Sequence, residues 1–539
     1  MPRTHSQGIH RGLDAAANGE FGRFGRMFVG LEGPEFDEDA LEIVANAMIK
    51  DDAGQTFNLT DEDENPAISA GYTYFGQFVD HDLTLDKTSL GESEADPDAI
   101  ANFRSPALDL DSVYGNGPWG DVVLYDENFK LQVSTSRIAA VPAAGFVQTQ
   151  FDHRRASDGT ALIGDPRNDE NVIVAQLHQA FVMFHNKIMD TNSLMGGIPS
   201  SERTERFRRA RRLAVWHYQW VVIHDFLKKI CQPEIYDDIV NPGGTPRLRL
   251  YNDPGPPFAY MPIEFAGAAY RFGHSMVRPS YALNKKIGTS QATKRIPIFK
   301  DNASLGADMR GFAPILPDWG IDWGYFFNSI PGDAPVAQLG AGTAQNAYRI
   351  DSILVDPLKA LVNPDIPKQP VRGRNLAFRN LLRGSRLRMP TAEQVASELG
   401  MRGFPAARFP FLTPDQIWSA GSRHAPSGTT NNGTIDDMRD RRSSLKAEFA
   451  DATPLWYYIL READWYGAPK AKPGVPKDIL GGQHLGPIGS IIVLETFLGI
   501  LMKDEGSILH QGGWRPRSAI AGSSPNKFDL PALIKWALT

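Results

Sequence analysis

Apolar residues recur with helical spacing at about 71–83, 170–191, 201–230, 262–278, 371–384, 392–399, 434–450 and 487–503. Nowhere do apolar and polar residues alternate long enough to predict a substantial sheet. A chain patterned in this way is restricted to a mainly α fold with little β structure. Long Pro- and Gly-rich connections, notably 240–260, 300–345 and 400–430, separate the helical stretches. At 539 residues, a prior of roughly one domain per 150 residues suggests three or four domains. A large ligand that organises the interior removes that need, and a single large helical domain with long irregular loops then becomes the expectation. Residues 1–65 are Gly-rich, then acidic at Asp37, Glu38, Asp39 and Glu42 and again at Asp61, Glu62, Asp63 and Glu64. They read as an N-terminal arm ahead of a domain over 66–539.

Formal net charge is -7, with both signs mixed along the chain, so no concentrated basic surface is offered to a nucleic acid. A small-molecule partner is favoured. The single cysteine, Cys231, excludes an intrachain disulfide. It follows Trp216–Lys229, which reads as a buried amphipathic helix, and it is expected to be a small buried hydrophobe rather than a catalytic thiol. No apolar core of a classical signal peptide is visible near Met1, so a cytoplasmic location or export by a leaderless route is expected. The most apolar stretch, Ile488–Met502, is shorter than the roughly 20 residues that span a bilayer and contains Glu495. It reads as a core helix, and no transmembrane segment is expected.

Three constellations carry chemistry. In Phe75-Gly76-Gln77-Phe78-Val79-Asp80-His81-Asp82-Leu83, read as helix, Gln77 and His81 share a face and Asp80 lies on its edge. Cleaving an O–O bond needs a neutral base that moves a proton, which imidazole supplies, and a fixed positive charge for the developing oxyanion. Arg167, in Gly164-Asp165-Pro166-Arg167-Asn168-Asp169-Glu170, opens the next long helix and could provide that charge. On spacing alone, a His flanked by two Asp is more often a structural or metal-binding feature than a catalytic one. Tyr270–Arg278 reads as a second helix, with Arg271, His274 and Arg278 forming one polar stripe. A neutral His there suits axial ligation of an iron, although a satisfied core histidine has the same signature. Finally, Asp82, Ser105, Asp109 and Asp111 gather oxygens of the kind calcium prefers, without the EF-hand spacing; a solvated acidic turn has the same composition.

The motifs follow one another in the order of a known family. Gln77–Asp82 resembles the distal motif of the peroxidase–cyclooxygenase superfamily, the animal-type haem peroxidases. Ser105–Gly115 resembles its calcium loop, and Arg167 with Glu170 its distal-arginine element, followed by a helix carrying Leu177-His178 and His185-Asn186. Ala269-Tyr270-Arg271-Phe272-Gly273-His274-Ser275 resembles its proximal element, Phe378-Arg379-Asn380-Leu381 the asparagine that supports the proximal histidine, and Gly486–Ile492 its C-terminal helix. The resemblance covers roughly 70–505. It implies a single haem peroxidase domain. His81 would be the distal acid/base, Arg167 the charge on the leaving oxygen, and Gln77 the partner of distal water or of a small anion. His274 would be the axial ligand of haem iron, with Asn380 accepting from its other ring nitrogen and Arg271 facing a propionate or the macrocycle's edge. Asp80 and Glu170 match the carboxylates that become ester-linked to haem b, so covalent attachment is expected. Calcium would be held by side-chain oxygens of Asp82, Ser105, Asp109 and Asp111 and by the carbonyl of Ala107.

The implied activity is that of a peroxidase: hydrogen peroxide as oxidant, an oxoferryl state, and small organic donors or (pseudo)halide ions as reductants. Asn171 stands where myeloperoxidase-like members carry a methionine, which removes the sulfonium link and disfavours strong chloride oxidation. Dioxygenase branches carry a radical-forming tyrosine three residues before the proximal histidine. Here that position is Arg271, and Tyr270 is one residue further back, rotated by about 100° on an α-helix. A fatty-acid dioxygenase is therefore the second reading. A calcium-dependent adhesion or matrix protein with a vestigial haem site is the third, opposed by the complete set Gln77, His81, Arg167, His274 and Asn380.

Overall fold

The computed structural model describes residues 24–49, 64–85, 102, 104–134, 151–241, 244–251, 258–288, 295–300, 308–330, 344–361, 371–404, 410–418, 449, 451–466 and 481–539. The fold is mainly α, with about 51% helix and 7% strand. Among the described residues the strands pair only as three two-stranded sheets, the longest joining Glu64–Ser69 to Asn346–Tyr348. No helix among the described residues is long and apolar enough to cross a membrane.

Four long helices appear where the periodicity predicts them: Gly71–Leu83, Val172–Asp190, Arg203–Val221 and Pro487–Lys503. Arg203–Val221 continues through a π-helical turn at Val222–Leu227 to Ile230, so the helix expected near 201–230 is present with one widened turn. In that turn Asp225 accepts the Tyr72 hydroxyl at 2.8 Å and the Leu530 amide at 2.8 Å, which ties three segments together. Leu376–Arg386 and Ala392–Met401 also match, the latter opened by a Thr391/Gln394 capping box. The helix expected at 434–450 lies outside the described residues apart from Phe449. Helices at Pro233–Val240, Leu455–Tyr466 and Leu530–Leu538 were not anticipated.

One continuous hydrophobic core runs from Phe24 to Leu538. At its centre the Gly71–Leu83 helix presses Phe75 and Phe78 onto Phe181, Tyr218 and Phe226, with Phe78 stacked on Phe181 at 4.7 Å and Phe75 edge-on to Phe226 at 5.4 Å. Each buried ring contributes roughly 1.5–3 kcal/mol by burial and about 0.5–1.5 kcal/mol more by its ring geometry. The helix is thereby held rigidly from its apolar side, and its polar edge is left to face elsewhere.

Two expectations are corrected. Residues 24–49, assigned to an arm, belong to the packed body. Phe24–Gly25 pairs with Met261–Pro262, and Glu38–Ala47 is a helix whose N-cap Asp37 accepts from two amides. Glu38 pairs with Arg372 and Arg386. The buried Glu264 takes the amides of Met27 and Phe28 at 3.0 and 3.4 Å. The second correction concerns 262–278, which is not one helix. Ile263–Gly267 is α-helical, Ala269–His274 is a 3-10 helix, and regular structure stops at His274. Pro279 disfavours the α conformation at Arg278, and Arg278 instead turns into the core, where it pairs with Glu64 and lies over Tyr348. It does not share a stripe with Arg271 and His274.

Candidate active site

His81 is buried near the C-terminal end of its helix, with 4% of its surface exposed. Its Nδ1 stands 2.9 Å from the side-chain oxygen of Asn168. An amide oxygen only accepts, so the ring proton resides on Nδ1 and Nε2 keeps its lone pair. Burial first, then the Arg167 charge, lower the His81 pKa to about 3, which keeps the imidazole neutral. The other end of the Asn168 amide donates to His178 Nδ1 at 3.0 Å, and the Asn168 carbonyl lies 3.4 Å from His153 Nε2. Asn168 carried no role in the sequence, where it is one polar residue among several. Its signal is the position one residue after Arg167, which places it beneath the distal helix.

Around His81 stand the expected partners. Gln77 donates to Glu170 at 3.0 Å and accepts from Asn171 at 3.1 Å. Asn171, where the resemblance shows a methionine in some members, also caps the Val172–Asp190 helix. Glu170 Oε2 is 3.9 Å from His81 Nε2, and burial raises the Glu170 pKa to about 7. Burial likewise raises Asp80, whose carboxylate accepts from Thr84 at 2.9 Å. Arg167 is clamped by Asp165 at 2.8 Å and donates to the His81 carbonyl at 2.9 Å, while its Nη1 has no partner among the described residues.

On the other side, the 3-10 helix brings Arg271 and His274 into register, because residues three apart eclipse at three residues per turn. Asn380 Nδ2 stands 2.8 Å from His274 Nδ1, as its place in the motif predicts. Its orientation differs from the expectation of an acceptor. Arg271, which offers only donors, takes the Asn380 oxygen at 2.6 Å and leaves the amide nitrogen facing His274. Burial, then Arg271 and Arg379, lower the His274 pKa to about 3, so this imidazole is neutral too. The Arg379 guanidinium has no hydrogen-bond or ion-pair partner among the described residues, and burial lowers its pKa. Trp456, 1% exposed, stands edge-on to His274 at 6.5 Å and donates to the Arg271 carbonyl at 3.3 Å. Neither Arg379 nor Trp456 was singled out from sequence. Arg379 adjoins Asn380 in the motif, whereas Trp456 belongs to a helix with no anticipated role.

The two sides share a recess. Asp80 feels the charges of both Arg167 and Arg271, and Tyr270 donates from its hydroxyl to the Gly76 carbonyl at 3.1 Å. Gln77, Asp80, Arg167, Glu170, Arg271 and His274 are each only partly covered. The Glu170 side chain keeps 37% exposure although burial dominates its pKa, which places it on an interior space rather than on bulk solvent. A Cβ built on Gly273, beside His274, meets nothing within 4 Å.

Below the distal helix, ligand oxygens of Asp82, Asp109 and Asp111 lie within 4.8 Å of one another. Burial, then Asp111 and Asp109, push the Asp82 carboxyl well above the usual range. Ser105 Oγ is buried with no hydrogen-bond partner among the described residues. Arg104, also unnoticed in the sequence, pairs with Asp111 at 3.0 Å and with Asp165. Gly164 lets the Arg167 segment press on this loop, since a Cβ there would stand 2.7 Å from the Ser112 carbonyl.

Comparison with known proteins accords with this geometry. The family model "Animal haem peroxidase" matches residues 85–305. Probable oxidoreductase PXDNL of Homo sapiens is 29% identical over 129 residues, 24% of this chain and 8% of that protein, so the chain matches only a small part of this relative. Peroxidase A from Dictyostelium discoideum superposes with a TM-score of 0.55 at 15% identity, covering 97% of this chain and 94% of that one. A fatty acid alpha-dioxygenase of Arabidopsis thaliana gives 0.53 at 13%, covering 97% and 76%, and one of Oryza sativa gives 0.53 at 14%, covering 97% and 80%. At such identities the structural likeness is one of fold. Over residues 85–305 the chain is similar to the animal haem peroxidase family, and its fold is the one that the peroxidase and dioxygenase neighbours share.

Proposed function

We propose that the chain is a haem peroxidase that uses hydrogen peroxide to oxidise small organic donors or (pseudo)halide ions. One observation carries this reading. Two neutral histidines, the buried His81 and the half-buried His274, each meet an asparagine at Nδ1 and face one recess that also holds a clamped arginine. The residues present fit haem: a neutral imidazole for the iron, the unpartnered cation Arg379 beside Arg271 for the propionates, and open space at Gly273. Haem, when bound, supplies the redox chemistry. His274 would hold it through Nε2, which requires the proton on Nδ1, and Asn380 would then have to offer its oxygen to His274 in place of Arg271. His81 takes a proton from peroxide at Nε2 and returns it to the departing oxygen, and Arg167 stabilises the charge that develops there. Gln77 orients water or an anionic donor. Asp80 and Glu170, whose carboxyl pKa values burial raises, that of Glu170 to about 7, would be the groups for ester links to haem.

The carboxylates of Asp82, Asp109 and Asp111, the orphaned Ser105 Oγ and the Ala107 carbonyl fit calcium, which prefers six to eight oxygens. Bound there, the ion would fasten the helix that carries His81.

The test is an optical spectrum of the purified protein, followed by acidic-acetone extraction of haem before and after repeated peroxide turnover. A Soret band, peroxide consumption and progressive loss of extractability are expected. An absent Soret band would sink the reading, and fully extractable haem would sink the ester links alone. A second reading, a fatty-acid dioxygenase, draws on the Tyr270 hydroxyl lying against the distal helix and on the dioxygenase neighbours. A stable tyrosyl radical lost in Tyr270→Phe, together with fatty-acid hydroperoxide products, would establish it instead.

A further inference from the structure

Between the carboxylate cluster and the distal arginine runs an unbroken chain of buried ion pairs. Arg104, 2% exposed, forks across two carboxylates: Nη1 donates to Asp111 at 3.0 Å, and Nε donates to Asp165 at 3.1 Å, with Nη2 on the same Asp165 oxygen. Asp165, with no exposed surface, in turn accepts from Arg167 at its backbone amide, Nε and Nη2, at 2.9, 3.2 and 2.8 Å. Arg167 closes the chain by donating to the carbonyl of His81, the residue before Asp82. Asp111 thus belongs to two systems, the oxygen cluster and the arginine chain.

We infer that Arg104 makes the positive charge presented by Arg167 depend on whether the Asp82/Asp109/Asp111 cluster holds a divalent cation. The inference rests on the proposed haem and calcium sites. Without a cation, Arg104, Asp111, Asp165 and Arg167 form two buried pairs with no net charge. A divalent cation draws the Asp111 carboxylate to itself, because a doubly charged ion at coordination distance outcompetes a guanidinium shared between two acids. Arg104 is then committed to Asp165 alone. The remaining set of two guanidinium groups and one carboxylate carries one positive charge, whose outer member is Arg167. Anions entering the recess are held more strongly in that state. Burial limits screening of the effect, since Arg104, Asp111 and Asp165 are buried and the Arg167 side chain is only 14% exposed. Arg104 is a positioning residue here: it touches neither haem nor peroxide.

The experiment is a fluoride titration of the ferric holoprotein, followed by its absorbance, in calcium chloride and again after chelation. Wild-type fluoride affinity is expected to rise roughly 5–50-fold with calcium, the usual size of a coupling between sites. Reciprocity requires fluoride to tighten calcium binding by the same factor, measured by isothermal titration calorimetry. Arg104→Met should still bind calcium and haem while losing this linkage. Arg104→Lys keeps a charge in place for folding but cannot fork across two carboxylates, and it should lose most of the linkage. An undiminished linkage in Arg104→Lys overturns the inference. So does a wild-type protein that binds both calcium and haem but shows fluoride affinity independent of calcium. A holoprotein that takes up no calcium overturns the calcium reading and this inference together, leaving the peroxidase reading standing.

Discussion

Asn168 offers the sharpest test of how the distal site works. Its oxygen holds His81 Nδ1 at 2.9 Å and its nitrogen holds His178 Nδ1 at 3.0 Å, inside a fully buried layer. Asn168→Leu fills the space with an apolar side chain and leaves both imidazole nitrogens without a partner. Each orphaned buried group costs about 1–3 kcal/mol. The His81 ring can relieve its share only by moving its proton to Nε2, and that removes the lone pair from the recess. Proton transfer by a positioned base is worth roughly 10²–10⁴ in rate. A tautomer preference weakened by about 1.4–2.8 kcal/mol predicts a fall of about 10–100-fold in the rate of reaction with hydrogen peroxide. Stopped-flow absorbance of the ferric holoprotein measures this directly. Because burial and Arg167 hold the His81 pKa at about 3, the deficit should be constant from about pH 5.5 to pH 8. Asn168→Asp keeps an acceptor at Nδ1 and should retain most of the rate. A leucine variant within twofold of wild type would refute the role of Asn168, and equal losses in the leucine and aspartate variants would refute the tautomer argument.

Asp165→Asn should destabilise the protein by about 3–5 kcal/mol in urea unfolding, because two buried guanidinium groups lose their shared carboxylate. Burial alone would raise the Asp165 pKa, but Arg167 and Arg104 outweigh it and hold the carboxyl well below the usual range. A depressed folded-state pKa gives stability that is complete above the unfolded value of about 3.9 and is lost as pH falls through the folded value. Wild type should therefore lose stability steeply below about pH 4, and the asparagine variant should lack that component; parallel acid profiles would argue against it. Asn380→Leu removes the partner of His274 Nδ1, making the imidazole a weaker donor to ferric iron. Partners of this kind are worth about 10–100-fold, which for one electron is a rise of roughly 60–120 mV in the ferric/ferrous potential measured by spectroelectrochemistry. An unchanged potential would show that Asn380 does not set the basicity of His274.

The parts of the fold visible in the sequence are those fixed by local pattern. Gly71–Leu83 and Val172–Asp190 carry apolar faces of helical period; the first holds Gln77 and His81 on its polar edge, and Arg167 and Glu170 lie on the short 3-10 helix Pro166–Asp169 and its C-cap just ahead of the second. Other parts depend on distant partners. The acidic run Asp37–Asp39 resembles solvated charge until Arg372 and Arg386 arrive from more than 300 residues away. It is then the negatively charged first turn of a docked helix, where carboxylates are favoured. Around His274 the apolar spacing suggests one α-helix, but Pro279 ends it early, and a 3-10 turn aligns Arg271 with His274 while sending Arg278 into the core.

The site shows the same division. Histidines can be counted in a sequence, but the nitrogen that carries the proton cannot, because that is decided by residues such as Asn168 and Asn380, 87 and 106 positions away from the rings they hold. A histidine with the wrong tautomer has the right residue type and no function as base or ligand. The two asparagines each occupy a histidine Nδ1, Asn168 with its oxygen and Asn380 with its nitrogen, and Asn380 would match the work of Asn168 only with its oxygen turned to His274. On this argument the chemistry of the chain is set less by His81 and His274 than by the amides behind them, and exchanging either amide for an apolar group should silence its histidine without displacing it.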